Sequence, residues 1–243
     1  MWYAHIKDEY VEVYENGNKH IYQVKKCRSM CKKQEIFCFL TDLSIYMYKN
    51  KKLIFKVNSI EEHCDKITVN KNIYVSGNDS GTMYKYNLNG EILESIKIGE
   101  HISDFCLSND YLYILSYFNN KLSALKDFNG SKEIFFSVTP QSIIVNKFIY
   151  VLLNDAYYSY IYMYSLDFNI IKKFKTSRQI GNIYCFNNKI LFEGNEYRFV
   201  FNENLNIQSI KKSTDIKLCR FSDYPICNNN HFLDICNNII YPL

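Results

Sequence analysis

The sequence predicts an all-β fold that is built from repeated units of four short antiparallel strands. Apolar and polar residues alternate over segments of about five residues, which is the pattern of a half-buried strand. Turn-forming Asn, Asp, Ser and Gly separate these segments. The units begin near residues 31, 65, 103, 142 and 182, so successive starts are 34, 38, 39 and 40 residues apart. Four strands in about 40 residues are typical of one blade of a β-propeller.

The clearest unit lies between residues 66 and 98. Its four segments are 66–70, 72–79, 81–90 and 91–98, and the turns between the last three contain Asn-Asp-Ser-Gly and Asn-Leu-Asn-Gly. These are turn sequences that favour tight connections between antiparallel strands. We therefore predict a four-stranded meander here.

The same unit is predicted three more times downstream and in part upstream. The downstream segments are 103–107, 111–115, 121–125 and 132–136; then 142–145, 148–153, 160–165 and 169–174; then 182–186, 189–192, 197–201 and 206–210. Upstream, 35–39, 44–48 and 52–57 are predicted to be the last three strands of a unit.

The two ends of the chain supply incomplete units. Segments 2–7, 10–14 and 19–24 form an N-terminal unit that lacks its innermost strand, and 216–221, 232–236 and 238–241 are candidate strands at the C-terminus. Pairing of N- and C-terminal strands would close the ring and remove open sheet edges. The prediction is one propeller domain over residues 1–243, with six or seven blades.

One unit carries motif-level detail. Glu62-His63 and Glu100-His101 precede first strands, Asp79 follows a Ser-Gly strand, and Tyr86-Asn87 ends the third segment. This stretch, residues 62–102, resembles a degenerate WD40 repeat in which Glu-His stands for Gly-His and Tyr-Asn replaces Trp-Asp. The resemblance implies that His63 or His101 forms a structural hydrogen-bond network with Asp79, not an acid–base pair.

Composition and charge narrow the class of protein. The chain of 243 residues is 47% hydrophobic and 22% charged with a net charge of +4, which is typical of a globular protein. No apolar run approaches the ~18 residues of a membrane span, and the N-terminus does not have the pattern of a secretory signal. We expect a soluble intracellular protein, cytoplasmic or nuclear, without membrane insertion.

The nine cysteines do not form a metal-binding pattern. Their number is odd and their spacing irregular, and most lie within apolar alternations such as Phe37-Cys38-Phe39. They are expected to be small buried hydrophobic residues of a reducing compartment. No metal site and no cofactor are predicted.

Signs of catalysis are weak. The eight glycines are scattered singly, so Gly-rich phosphate loops are absent. Asp79, Asn119, Asp155 and Glu196 recur after the second strand of successive units. They could ring a metal in a lactonase-like hydrolase, but Asn and Asp are also the default turn residues. We favour the turn interpretation and expect no enzyme activity; the hydrolase is the second alternative.

Basic residues recur near the outer strands. This predicted basic rim consists of Lys25, Lys26, Arg28, Lys172, Lys173, Lys175, Lys211 and Lys212. The rim could contact phosphates or an acidic protein surface, or it could be the ordinary charged edge of outer strands. An RNA-associated propeller subunit is therefore the first alternative function. Residues 222–225 and 231–232 resemble a stretch of the non-catalytic WD subunit of tRNA guanine-N7 methyltransferase, an example of such an accessory subunit.

Loop-tip aromatics indicate binding. Tyr157, Tyr158 and Tyr160 lie at one predicted turn, and Tyr117-Phe118 lies at the equivalent turn of the preceding unit. Exposed aromatics of this kind often anchor protein partners. The predicted partner-binding face comprises His63, Asp79, His101, Tyr117, Tyr157, Arg178 and Tyr197. The favoured function is a non-catalytic protein-interaction scaffold or subunit of a macromolecular complex, whose partners are other proteins. RNA is the alternative partner.

Overall fold

The computed structural model describes residues 2–58, 64–77, 79–126, 128–186, 189–194, 197–212, 231–234 and 239–242. In these ranges the secondary structure consists of strands, which form antiparallel sheets. The chain divides into two compact units; strands β1 to β11 belong to the first and β12 to β23 to the second.

The first unit contains three sheets in sequential strand order. The three-stranded sheet is β1 (Trp2–Ile6), β2 (Val11–Glu15) and β3 (Asn18–Tyr22). The next sheet is β4 (Ser29–Lys33), β5 (Ile36–Leu40), β6 (Ser44–Lys49) and β7 (Lys52–Asn58), and the third is β8 (Cys64–Val69), β9 (Ile73–Gly77), β10 (Thr82–Tyr86) and β11 (Ile92–Lys97).

The second unit contains three four-stranded sheets of the same design. They are β12 (Ile102–Ser108), β13 (Tyr111–Ser116), β14 (Lys121–Lys126) and β15 (Asn129–Phe135); β16 (Thr139–Val145), β17 (Ile149–Asn154), β18 (Ser159–Tyr164) and β19 (Ile170–Thr176); and β20 (Ile180–Phe186), β21 (Lys189–Gly194), β22 (Tyr197–Asn202) and β23 (Ile207–Lys212).

The predicted fold class is confirmed: the protein is a β-propeller with six blades. The remaining strands, β24 (His231–Asp234) and β25 (Ile239–Pro242), pair with each other.

The N-terminal sheet can be aligned with the next blade through its first turn. The Lys7 N–H donates to the Tyr10 carbonyl before β2, and the Thr41 N–H donates to the Ser44 carbonyl between the second and third strands of the next blade. Strands β1 to β3 thus correspond to the last three strands of a blade. Ring closure by the C-terminal strands and the single domain over 1–243 stay predictions.

Burial falls from the inner to the outer strands of a blade. The second strands β9 and β17 are buried almost throughout, whereas the fourth strands β7, β11 and β19 are largely exposed. Apolar side chains of neighbouring blades interdigitate within each unit, for example Leu122 with Ile143 in the core of the second unit. The apolar area that these contacts remove from water is the main stabilising contribution.

Side-chain hydrogen bonds tie neighbouring blades together within each unit. In the first unit, Ser29 Oγ accepts the Ile67 N–H at 3.2 Å. In the second unit, Asp104 Oδ2 accepts the Ser142 hydroxyl at 2.7 Å and the Ile143 N–H at 2.8 Å. Asp104 thus lies in β12 and links two blades.

A β-bulge recurs where the third strand of a blade ends. The register with the fourth strand shifts between Met47 and Tyr48, Lys85 and Tyr86, Leu125 and Lys126, Met163 and Tyr164, and Val200 and Phe201. Tyr86 is one of these bulge residues, and the Asn87 side chain accepts the N–H groups of Asn89 and Glu91, at 2.9 Å each. The Tyr86-Asn87 dipeptide therefore forms the turn into the outer strand.

The cysteines that the structure describes pack as predicted. Five are buried and Cys185 is half-buried, all as free thiols. Cys219, Cys227 and Cys236 lie outside the described residues. In the described ranges, no helix has the length and hydropathy needed to cross a membrane.

A buried ionic cluster in the first sheet generates a pH-dependent prediction. Glu12 contacts His5 Nδ1 at 3.5 Å, Lys19 Nζ at 2.5 Å and the Tyr14 hydroxyl at 3.1 Å. Burial raises the pKa of Glu12. The hydrogen bonds from Lys19, Tyr14 and His5 and the charge of Lys19 lower this pKa by more, so it lies below the ordinary value of a Glu side chain.

Because the folded pKa is depressed, the carboxylate stabilises the fold above the unfolded pKa of Glu, about 4.3. This contribution is lost as the pH falls through the lower folded pKa. Glu12→Gln should reduce the free energy of unfolding at pH 7 by about 1–3 kcal/mol, and the difference from wild type should shrink in acid. Urea unfolding between pH 3 and 7 measures this. Glu9→Gln, at an exposed Lys25 pair, is the control and should follow the wild-type profile; a Glu12→Gln difference that does not change with pH would contradict the prediction.

Candidate partner-binding surface

The turn between β13 and β14 presents an exposed aromatic cluster. The Tyr117 N–H donates to the His101 carbonyl at 2.8 Å, and the His101 ring lies 5.7 Å from the Tyr117 ring and 5.9 Å from the Phe118 ring. The Ser116 hydroxyl donates to Asn119 Oδ1 at 2.9 Å within the same turn. Phe118 is 66% exposed although the turn is tied down by these bonds. Its ring is therefore available to a partner in a fixed position.

The turn between β17 and β18 is organised by Asp155. Its carboxylate accepts the N–H groups of Tyr157 at 2.7 Å and Tyr158 at 2.6 Å and the Tyr160 hydroxyl at 2.8 Å. The backbone hydrogen bonds from Tyr157 and Tyr158 lower the pKa of Asp155. Tyr157 is 76% exposed at the tip of this turn. Asp155 thus serves the turn, and its geometry fits the interpretation favoured from sequence.

Arg178 lies flat against an aromatic ring beside this turn. Its guanidinium carbon is 3.6 Å from the centroid of the Tyr197 ring. The neighbouring Gln179 side chain donates to the Asp155 carbonyl at 3.4 Å. A Cβ on Gly194 would overlap the Gln179 carbonyl oxygen, so glycine is what allows these backbone segments to approach. Arg178 is exposed while it stacks on Tyr197.

The predicted partner face is partly assembled in the second unit. In each of its sheets, the turn after the second strand lies at the same end as the connection that enters the first strand. His101, Tyr117, Tyr157 and Arg178 occupy such turns or connections, and Tyr197 is the first residue of β22, directly after such a turn. Asp79 is exposed in a turn of the first unit, and His63 lies outside the described residues. The binding role of these residues and the His–Asp network stay predictions.

The predicted basic rim is not one uniform surface. Lys25 pairs with Glu9, and Arg28 bridges Asp42 at 2.7 Å and Asp65 at 2.6 Å, so carboxylates of their own unit accompany these cations. The Lys26 N–H donates to the Asp8 carbonyl at 2.7 Å. Lys211 and Lys212 pair with β22 through their backbone, and their side chains lie outside the described part.

The three lysines of β19 point to two different faces. Lys172 Nζ donates to Asn206 Oδ1 at 2.6 Å in the next blade. Lys173 Nζ lies 4.6 Å from the Tyr162 ring centroid, and Lys175 Nζ lies 3.7 Å from that of Tyr158. The sequence analysis did not predict this row of rings. Tyr at every second position of β18 and Lys at every second position of β19 could have indicated it, because side chains at facing positions of paired strands contact each other. We define the tyrosine–lysine face as Tyr158, Tyr160, Tyr162, Tyr164, Lys173 and Lys175.

The residues considered for a metal ring lie between second and third strands where the structure describes them. No group of three His, Cys, Asp or Glu that could hold a metal ion occurs among the described residues. Of the four residues considered for a metal ring, Asn119 and Asp155 accept hydrogen bonds within their own turns. Glu196 lies outside the described ranges. A pocket of about 170 Å³ lies elsewhere, beside the turn between β18 and β19.

Comparisons with known proteins confirm the fold. No family model matches the chain, and no curated protein matches it. Among solved structures, BBS1N in complex with ARL6DN has a TM-score of 0.68 and 14% identity, covering 90% of this chain and 79% of that one. Virginiamycin B lyase from Staphylococcus aureus has a TM-score of 0.70 and 14% identity, covering 87% and 79%. The Pan2 WD40 domain of Neurospora crassa has a TM-score of 0.61 and 12% identity, covering 76% and 65%.

The class of protein follows from these observations: the chain is a β-propeller. A WD40 domain is among its structural neighbours, which fits the degenerate WD40 pattern of residues 62–102. At identities of 11–14% these likenesses define the fold, and the neighbours include an enzyme, the lyase, as well as a propeller in a protein complex.

Gly194 provides a test of how the Arg178 stack is held. Gly194→Ala should push the Gln179 segment away, separate Arg178 from Tyr197, and reduce the free energy of unfolding by about 1–3 kcal/mol. Thermal unfolding measures the stability change, and NMR shifts of the Tyr197 ring report the stack. Gly181→Ala is the matched control, since a Cβ there would lie at an ordinary 3.7 Å from the Glu193 carbonyl. Equal effects of the two substitutions would refute this account.

Proposed function

We propose that this chain is a non-catalytic, WD40-like propeller that serves inside the cell as a protein-interaction scaffold or as a subunit of a macromolecular complex. The observation that carries the proposal is the set of exposed aromatic side chains at the turns of the second unit. Phe118 and Tyr157 are exposed at turns whose backbone is fixed by hydrogen bonds. Rigid exposed aromatics lose little conformational entropy on binding and often dominate the binding energy of protein interfaces.

Two further observations support this proposal. The Arg178 guanidinium is already stacked on Tyr197, and Arg and Tyr are enriched at the anchoring positions of protein interfaces. BBS1N, a propeller of similar fold, was crystallised in complex with ARL6DN.

Affinity purification from the native cell, followed by mass spectrometry, tests the proposal. Wild type should recover a reproducible set of proteins, and Phe118→Ser/Tyr157→Ser should reduce their recovery at least tenfold, because loss of an anchoring aromatic costs about 2 kcal/mol or more. Ile92→Ser/Leu93→Ser removes comparable exposed apolar area from an outer strand and is the matched control. It should retain the partners.

Each other outcome counts against the proposal. Recovery of no specific protein by the wild type would remove its basis, and equal recovery by the aromatic variant would show that these turns are not the anchors. If ribonuclease treatment abolishes recovery, and the logarithm of the RNA association constant falls linearly with the logarithm of the salt concentration, the RNA-associated role replaces the scaffold role. Stoichiometric divalent metal in the purified protein, together with lactone hydrolysis, would instead favour the hydrolase.

A further inference from the structure

A row of four tyrosine rings runs along one face of β18. Neighbouring ring centroids are 6.3 Å apart for Tyr158 and Tyr160, 6.5 Å for Tyr160 and Tyr162, and 6.2 Å for Tyr162 and Tyr164. Tyr164 is buried in the core, whereas Tyr158 is 37% exposed. The row therefore leads from the protein interior to the surface.

Two lysines of β19 lie on these rings. The strand register places Lys173 opposite Tyr162 and Lys175 opposite Tyr160. Both lysines are exposed, and among the described residues neither ammonium lies within ion-pair distance of a carboxylate. The rings position the ammonium groups through cation–π contacts and leave their outer sides to solvent.

The blade β12–β15 lies beside this row, and we call the surface between the two the cleft. Ile134 of β15 and the following Phe136 belong to the same apolar cluster as the tyrosines, and the Phe136 ring lies 6.5 Å from that of Tyr164. Beyond the buried end of the row, the turn after β18 lines the pocket of about 170 Å³. The pocket is lined by Asn109, Tyr111, Tyr113, Ala124, Lys132, Leu166, Asp167 and Phe168. Its volume suits one apolar side chain better than a drug-sized ligand.

The charges in the cleft differ along its length. Lys132, beside the pocket, has Asp167 at 4.0 Å. At the other end, Asp155 lies beside Tyr160. Lys173 and Lys175 lie between these two carboxylates. The cleft therefore has a lysine–carboxylate pair at the pocket, two lysines in its middle and a carboxylate at its other end.

We propose that this cleft binds an extended segment of a partner protein that carries an apolar side chain followed by two acidic side chains. The apolar side chain occupies the pocket, and the two carboxylates contact Lys173 and Lys175. Residues two apart on a strand are about 6.6 Å apart, so the acidic residues are spaced i and i+2 on an extended chain. The pocket is roughly 10 Å from the level of Lys173, which is about three extended residues. This inference rests on the proposed protein-interaction role and specifies one site for it.

The charge distribution favours a peptide over RNA. A nucleic acid strand carries a phosphate at every nucleotide, so a strand along the whole cleft would place phosphates beside Asp155 as well as beside the lysines. A peptide can place its acidic residues only in the middle of the cleft. Charge complementarity of this kind selects partners and their register.

Fluorescence anisotropy with the purified full chain tests the proposal. The probe is a labelled nine-residue peptide of Ser and Thr with one Leu and with Glu at the third and fifth positions after it. Wild type should bind it saturably, and Lys173→Gln should weaken binding three- to fivefold, the range of exposed ion pairs. Lys173→Gln/Lys175→Gln should weaken it about tenfold or more.

Lys172→Gln is the matched control, because it makes the same charge change one position away on the opposite face; it should alter affinity less than twofold. Replacing both Glu with Gln, or the Leu with Ser, should each weaken the peptide at least threefold. Absence of saturable binding up to about 1 mM, equal affinity for the Gln peptide, or equal loss in Lys172→Gln would overturn the proposal. So would a ten-nucleotide RNA that binds more tightly and depends on the same lysines.

The defined peptide separates this inference from the proposed function. If cellular partners depend on Phe118 and Tyr157 but the peptide does not bind, the cleft proposal fails alone. If the peptide binds as expected and no protein is recovered from cells, the scaffold role fails and the cleft remains a peptide-binding site.

Discussion

Burial on both faces of each blade is the constraint on which this structure depends. β9 is buried from Ile73 to Gly77, so its side chains are covered above and below the sheet. A small sheet with two apolar faces is not stable alone, because it would leave one face in water. Each blade therefore needs neighbours, and the repeats fold as members of a series. The residues that are accessible to other molecules therefore lie in the turns, in the outer strands and on the surfaces between the blades.

Sequence periodicity predicted most of the fold because strand and turn patterns are local. The strands of the second unit match the predicted segments closely, and all three N-terminal strands were predicted. Strand β4 was not predicted, since Ser29–Lys33 contains two lysines and little apolar alternation. The strands β12, β16 and β20 begin earlier than predicted. Each contains a bulge near its start, which interrupts the alternation that marks a strand.

The candidate site was less predictable because it depends on side-chain direction and on distant partners. The sequence placed Lys172 and Lys173 together in one rim, but adjacent residues of a strand point to opposite faces. Lys172 reaches Asn206, while Lys173 covers Tyr162. The charge of Arg28 is accompanied by Asp42 and by Asp65, 37 positions further along the chain, a contact that no local pattern reveals.

The same architecture explains why the surface features are held rigidly. The buried end of the tyrosine row, Tyr164, is a bulge residue, and burial raises the pKa of its hydroxyl. At the exposed end, the Asp155 carboxylate fixes the backbone of Tyr158 and the hydroxyl of Tyr160. A row fixed at both ends positions the lysine stems that lie on it. Such preorganisation lowers the entropy lost on binding, so a few exposed groups at fixed positions are enough for the contact surface that we propose.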